Sequence, residues 1–438
     1  VSYNTIEQLQ QDLHPPLTRH EALVESDRCY FCYDAPCVTA CPTGIDIPLF
    51  IRQISTDNPG GSARTIFNEN ILGGMCARVC PTETLCEQAC VRNTSEDNPV
   101  RIGELQRFST DSLMQTGKQP YTRAALTGRR VAVVGAGPAG LACAHRLALY
   151  GHDVDIFDAM SKPGGLNEYG IAAYKTVDDF AQQEVQYIMS IGGITLKHNH
   201  ALGVDVTLDQ LKEVFDAVFL GLGLGTVNQL PIEGHDLEGV IDAVAVIREI
   251  RQATDLAALV IGRRTVVVGG GMTAIDAAVQ TRMLGAEEVT LTYRRGVDNM
   301  NASVFEQDLA KVNGVMIRTS LQPLKIHGDD GKVTGIEFSY MHDNGQAYEP
   351  TGETLFIACD RVLMAIGQQF VTANADEAID LDNGRIKVDA ERRTSNKKIW
   401  AGGDCIAGGQ DLTVAAVQDG KLAAESIHTY LGEAGNHG

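Results

Sequence analysis

Eight of the eleven cysteines fall between Cys29 and Cys90, in two runs. The first is Cys29-x2-Cys32-x4-Cys37-x3-Cys41-Pro42, and the second is Cys76-x3-Cys80-Pro81-x4-Cys86-x3-Cys90. An iron–sulfur cubane needs several thiolates converging on it, and short spacings closed by a proline provide them. Spacings of four residues, at Cys37/Cys41, Cys76/Cys80 and Cys86/Cys90, put paired thiols on one face of a helical turn. In two-cluster proteins the fourth cysteine of one run commonly reaches the other cluster, so the runs should interlock. Structural zinc would want two well-separated CxxC pairs per ion. A disulfide scaffold belongs to short secreted chains. The two dense quartets favour two iron–sulfur clusters.

Glycine turns offer a second chemistry. Val131-Ala132-Val133-Val134-Gly135-Ala136-Gly137-Pro138-Ala139-Gly140 is a buried strand running into G-x-G-x-x-G and then a helix. Gly135 allows the tight turn, Gly137 lets the backbone approach a pyrophosphate, and Gly140 lets helix and strand pack closely. The helix opening at Pro138 and Ala139 supplies free N–H groups and partial positive charge for that pyrophosphate. The next strand ends at Asp158, placed to accept ribose hydroxyls. Ser161-Lys162-Pro163-Gly164-Gly165-Leu166 is a turn suited to close passage of a bulky cofactor, with Gly165 and Leu166 in contact. Near the C-terminus, Ile399-Trp400-Ala401-Gly402-Gly403-Asp404 reads as a strand ending in a Gly-Gly-Asp turn. Gly403 and Asp404 would meet a ribityl chain, and Trp400 reads as core. Thr413 is a candidate cap of the alanine-rich helix that follows. The dipole of that helix would stabilise an anionic reduced flavin. These turns together point to FAD.

A second unit repeats the plan. Val266-Val267-Val268-Gly269-Gly270-Gly271-Met272-Thr273-Ala274 is G-x-G-x-x-A, an accepted variant of the fingerprint, with Gly269, Gly271, Met272 and Thr273 as candidate contacts. Its next strand ends at Tyr293-Arg294-Arg295. An acid there would bind the ribose of NAD, whereas Arg294 and Arg295 would suit the 2′-phosphate of NADP; both also read as solvated loop charges. Two further strand ends, Val218 to Gly223 and Val362 to Gly367, mark where the chain crosses between nucleotide units.

These motifs need positioning elements. Up to about Tyr121 the texture is polar and helical. From Arg129 short β-branched runs alternate with alanine- and leucine-rich helical stretches, the pattern of an α/β chain with parallel sheets. The 438 residues suggest about three domains, and 44% hydrophobic residues give ample core. A formal charge of −20 argues against a nucleic-acid or anionic-membrane partner, since phosphate repels such a surface. No apolar run reaches the ~18 residues of a membrane helix, and residues 1–7 lack a signal-peptide pattern. A cytoplasmic location is the default expectation. Cys143, Cys359 and Cys405 form no C-x-x-C or C-x4-C, which argues against the flavin disulfide reductases. No histidine pair has metal spacing, and there is no nucleophile motif or obvious acid–base pair. Hydride transfer to flavin needs none, because the cofactors carry the chemistry.

An N-terminal helical cysteine domain, followed by Gly135-Ala-Gly-Pro-Ala-Gly, Gly164-Gly165-Leu166, Gly269-Gly-Gly-Met-Thr-Ala and Ala401-Gly402-Gly403-Asp404, resembles a known family. That family holds the glutamate synthase small subunit and the N-terminal half of dihydropyrimidine dehydrogenase. The resemblance covers essentially the whole chain and is strongest to the small subunits of bacterial NAD-dependent dihydropyrimidine dehydrogenases. It implies an N-terminal all-helical double [4Fe-4S] domain (1–122) before two Rossmann-like domains. These would be an FAD domain (123–258 and 390–438) and an NAD(P) domain (259–389). By resemblance, Cys29, Cys32, Cys37 and Cys90 hold one cluster. Cys41, Cys80, Cys86 and Gln106 hold the other, with Cys76 a neighbour rather than a ligand. Glutamate is commoner at the place of Gln106 in the glutamate synthase branch. The chain departs from the family at Gly170-Ile171-Ala172-Ala173-Tyr174, where Gly-Ile-Pro and a following arginine are commoner. The resemblance further implies NAD(H) in preference to NADP(H), and an FMN-containing partner subunit that reduces uracil or thymine. The assembly it implies is a heterotetramer of two small and two large subunits. Rival expectations are a glutamate synthase small subunit and a non-catalytic redox-sensing or assembly module.

Overall fold

The computed structural model describes residues 5–371 and 379–435; residues 1–4, part of the segment read as lacking a signal peptide, lie outside them. The chain forms two compact units. One comprises 14–168, 178–226 and 369–438, the other 1–13, 169–177 and 227–368.

In the first unit the cysteine region is helical. Its helices start where the sequence supplies caps. Thr18 closes a capping box with Glu21 on Arg19–Ser26, and Asp46, followed by Pro48, caps Ile47–Ser55. Each satisfies backbone N–H groups that have no partner within the helix. Apolar residues at helical spacing (Ile47, Phe50, Ile51, Ile54) meet Ile66, Ile102 and Leu105 in one buried core. Each such side chain contributes about 1.5–3 kcal/mol, and this core sets the rest positions of the thiols around it.

The same unit contains a parallel sheet in the order Ile399–Ala401, Ala217–Leu220, Arg130–Val134, Asp153–Phe157, Ile194–Lys197. Strands buried on both faces read as continuous apolar runs, and Val131 to Val134 are all buried. Helix Pro138–Leu149 packs along helix Thr413–Gly435. At their contact a methyl on Gly420 would overlap the Ala139 carbonyl. Trp400 is fully buried and donates from Nε1 to Ser426 Oγ at 3.0 Å, so it is core, as its setting suggested.

The second unit repeats the plan. Its parallel sheet runs Val240–Asp242, Arg361–Met364, Arg264–Val268, Glu288–Thr292, Val315–Arg318. In both sheets the strand before the glycine turn is central, which puts the turn at a topological switch point, where open α/β sheets bind ligands.

The expected boundaries at 258/259 and 389/390 lie elsewhere. Val240–Asp242 pairs with Arg361–Met364, so the second unit takes its edge strand from upstream and begins at 227. Residues 369–371 and 379–389 return to the first unit, which also includes the cysteine-rich helices rather than leaving them as a separate domain. The chain crosses at 226/227 and 368/369, just beyond the two glycine-rich strand ends. A three-stranded antiparallel sheet, Leu321–Asp329, Lys332–Asp343 and Tyr348–Ala358, is an addition within the second unit that the parallel α/β reading did not include.

Candidate functional site: two thiol groups and two glycine cradles

The fold brings Cys29, Cys32, Cys37 and Cys90 to the lining of one small, partly open cavity, with Ile47, Ile51, Val100 and Ile102 as its apolar wall. Cys90 comes from the second run, so the runs interlock here. Phe31 takes a left-handed turn (φ 51°) between Cys29 and Cys32, a conformation that costs a bulky residue about 1–3 kcal/mol. The turn lets Phe31 N donate to Cys29 Sγ at 3.4 Å. Burial pushes the Cys37 thiol up to about 12, and the neighbouring Cys29 and Cys90 sulfurs add to the rise. Burial likewise raises Cys29. Thiolates this unfavourable alone become stable when bound to a cation, which deprotonates its thiol ligands.

Cys41, Cys80 and Cys86 form a second group. The Cys80 thiol is pushed well up by its hydrogen bond to Cys76, then by burial and by the Cys76, Cys86 and Cys41 sulfurs. Cys86 is pushed up by burial, then by Glu87 and by Cys41 and Cys37. Cys76 is thus the immediate neighbour of Cys80. Gln106 is buried on helix Ile102–Met114, and its Nε2 donates to the Gly73 carbonyl at 2.7 Å. That bond fixes the amide orientation and turns Oε1, the atom able to bind a cation, the other way. All eleven cysteines are free thiols. Among the described residues no three His, Cys, Asp or Glu side chains are placed to hold a single metal ion. The all-thiol donor groups have the chemistry of iron–sulfur ligands.

At the first glycine turn the glycines divide into two kinds. Gly135 sits at φ 101°, and a methyl there would overlap the Gly221 carbonyl; one on Gly140 would overlap the Gly135 carbonyl. Those two are demanded by the chain itself. Gly137, by contrast, has only the Gly165 Cα near its missing Cβ, at 3.8 Å. Its bareness leaves a cradle at the start of helix Pro138–Leu149. In the second unit a methyl on Gly269 would overlap the Ala365 carbonyl, whereas one on Gly271 would meet nothing within 4 Å. Met272 and Thr273 open helix Met272–Met283 there. Both middle glycines leave the room a pyrophosphate requires.

Asp158 is buried at the end of its strand, and its carboxylate accepts from Ala136 N at 2.6 Å and Met160 N at 2.7 Å. It therefore braces the glycine turn. Burial raises its pKa against those two bonds. Leu166 starts a short helix after Gly165 and is 39% exposed. Gly403 N donates to Asp419 Oδ2 at 2.9 Å, and Arg392 Nε pairs with Asp419 Oδ1 at 2.7 Å. The Asp404 carboxyl is pushed up to about 7 by burial and then by Asp411. Such a group is poised to donate or accept at neutral pH. Thr413 departs from its expected role. It is the first helical residue, and its hydroxyl donates to Asn167 Oδ1 at 2.8 Å instead of capping the helix backbone. Arg294 is exposed, while Arg295 stands 5.5 Å over the Tyr293 ring with a buried Nε that lacks a hydrogen-bond partner.

Three groups escaped the motif reading. Lys175 Nζ pairs with Asp276 Oδ1 at 2.8 Å and Glu306 Oε1 at 2.6 Å, all buried in the second unit, where Tyr174 OH donates to Asp276 at 3.1 Å. The departing segment Gly170–Tyr174 thus belongs to the second unit. The others are Glu184 and the Asp419-Gly420-Lys421 triplet. A glycine between opposite charges within an alanine-rich helix is a signal that could have found the triplet.

The sequence profile of the pyridine nucleotide-disulphide oxidoreductase family matches residues 129–420. That of dihydropyrimidine dehydrogenase domain II, 4Fe-4S cluster, matches residues 6–118. The Escherichia coli (strain K12) NAD-dependent dihydropyrimidine dehydrogenase subunit PreT is 36% identical over 96% of this chain and 97% of its own length. The chain belongs to this family. The glutamate synthase [NADPH] small chain of the same organism is 34% identical over 96% of this chain and 93% of its own length. Among solved structures, Mycobacterium tuberculosis FprA in complex with NADPH superposes with a TM-score of 0.58 at 19% identity, covering 70% of this chain and 86% of FprA. Thioredoxin reductase of T. acidophilum does so at 0.54 and 21%, covering 69% and 99%. These two share the fold. Membership of the disulphide oxidoreductase family overturns the expectation drawn from the missing cysteine pair. The fold is that family's, although Cys143, Cys359 and Cys405 are buried free thiols. The chain is an electron-transfer flavin and iron–sulfur oxidoreductase, with FAD, NAD(P) and 4Fe-4S as its cofactor classes. Among the described residues no helix is long and apolar enough to cross a membrane.

Proposed function

We propose that this chain is the electron-input subunit of a dihydropyrimidine dehydrogenase. It would oxidise NADH, or reduce NAD+, and relay electrons through two [4Fe-4S] clusters to a partner subunit carrying FMN. That partner would interconvert uracil or thymine and the 5,6-dihydropyrimidine. The observation that carries the reading is the gathering of Cys29, Cys32, Cys37 and Cys90 on one cavity, in the same compact unit as the first glycine cradle. Bound FAD supplies the exchange between a hydride pair and single electrons.

The chain's own residues hold and orient. Gly137 leaves backbone room for the dinucleotide, Gly165 and Gly403 would border it, and Asp404 would meet its ribityl chain. Helix Thr413–Gly435 directs its positive end toward the flavin. Cys29, Cys32, Cys37 and Cys90 would hold one cluster; Cys41, Cys80, Cys86 and the Gln106 Oε1 would hold the other. Gly269, Gly271, Met272 and Thr273 would cradle the nicotinamide nucleotide. NAD(H) is favoured over NADP(H) because the relative with 36% identity is named NAD-dependent. The glutamine at 106 supports the pyrimidine branch over the glutamate synthase branch. A heterotetramer of two small and two large subunits in the cytoplasm completes the reading.

The test is anaerobic assay of the purified chain with and without its partner. Alone, it should reduce dye acceptors with NADH and leave uracil untouched, and uracil turnover should appear on adding the partner. Uracil reduction by the chain alone, or glutamate formation with an amidotransferase partner, would refute the assignment.

A further inference from the structure

Three successive residues of helix Thr413–Gly435 reach three different places, because neighbours on a helix point about 100° apart. Asp419 binds the Gly403 N–H, Gly420 lets the Ala139 carbonyl approach, and Lys421 turns toward the cysteine region. Its Nζ donates to the Thr43 carbonyl at 3.3 Å and to Glu69 Oε2 at 2.6 Å. Thr43 is buried, and its hydroxyl stands 3.3 Å from Cys41 Sγ. The Cys41 carbonyl accepts from Gly44 N in the same turn at 2.9 Å. A buried ammonium is costly unless paired, and Lys421 is buried while Glu69 is 43% exposed. A methionine would fill the same space without that cost, so packing alone does not account for a lysine here.

We propose that Lys421 is a positioning residue for electron transfer. It ties the Cys41–Gly44 turn to the helix that carries the flavin-side Asp419, and it holds a positive charge beside the cluster of Cys41. This rests on the ligand set proposed above. The lysine neither gives nor takes electrons, and no bond at Lys421 changes. Its charge favours the cluster with one more electron, so it raises that cluster's midpoint. The Glu69 carboxylate works in the opposite direction and sets how much of that charge is felt.

Potentiometric titration of the anaerobic holoprotein, followed by EPR of both clusters, tests this. Lys421→Met should lower one midpoint, with roughly tenfold less reduced cluster at fixed potential, equal to about 59 mV for one electron. Glu69→Gln, at a half-exposed position that should leave folding intact, should raise the same midpoint. Lys421→Arg should restore the wild-type value, and the other cluster should stay in place throughout. Opposite shifts are something a merely structural lesion would not give. Shifts of the same sign, or unmoved midpoints in protein with both clusters intact, would overturn the role of Lys421 alone. Wild-type protein lacking iron and sulfide would overturn the proposed function, and this inference with it.

Discussion

Cys76 and Cys86 look alike in sequence, yet they stand in different relations to their neighbours. Cys76 hydrogen-bonds to the Cys80 thiol, whereas Cys86 shares its surroundings with Cys41 and Cys37. Cys86→Ser should therefore halve the iron content of anaerobically purified protein, and Cys76→Ser should leave it at the wild-type level; iron and acid-labile sulfide analysis reads both. The glycines separate in the same way. Gly137→Ala should fold and melt close to wild type while binding FAD at least about tenfold more weakly, since a factor of ten is only about 1.4 kcal/mol. Gly140→Ala, whose methyl would overlap the chain's own Gly135 carbonyl, should lose stability before any cofactor is added. Flavin titration and thermal melting of the two variants check this. At this scale the sequence was legible wherever chemistry demands a residue type at a spacing. It was illegible for Asp276, Glu184 and Lys421, whose partners lie about a hundred or more positions away.

Helix Gly73–Val79 carries Cys76 and leads into Cys80, and its position depends on a buried acid. Glu184, on helix Phe180–Met189, accepts from Met75 N at 2.9 Å. Burial pushes its carboxyl from 4.5 up to about 8, against the pull of the Met75 hydrogen bond and of Arg78. Below about pH 4.5 the folded and unfolded chains both keep this proton, and its contribution is fully present. From there to about pH 8 the unfolded chain releases a proton that the folded chain retains, so stability falls as pH rises. Glu184→Gln should flatten that part of the melting-temperature profile. In the second unit, burial alone would lower the Lys175 pKa, but Asp276 and Glu306 outweigh it and keep the ammonium charged. Removing one side of such a pair costs about 3–5 kcal/mol, so Asp276→Asn should lower the denaturant midpoint markedly, as chemical unfolding would show. The antiparallel sheet of this unit did have a local signal. Asp330-Gly331 joins strands Leu321–Asp329 and Lys332–Asp343 with both residues at positive φ (48° and 78°), the hairpin turn chemistry that Asp-Gly favours. The parallel pattern on either side concealed it.

For the whole molecule, the two nucleotide plans and the helical cysteine region were readable because each repeats a period or spacing that physics ties to one structure. The boundaries were not. Val240–Asp242 joins a sheet whose other strands come later in the chain, and strand pairing at that separation leaves no mark in local composition. The proposed function requires that flavin and two cubanes form one route for electrons. The most direct measurement is anaerobic addition of NADH to the purified chain, with the visible spectrum and low-temperature EPR recorded together. The flavin band should bleach and cubane signals should grow in, with iron and sulfide equivalent to two four-iron clusters per chain. Flavin that bleaches with no cluster signal and no iron in the protein, or zinc at the cysteines, would contradict that route.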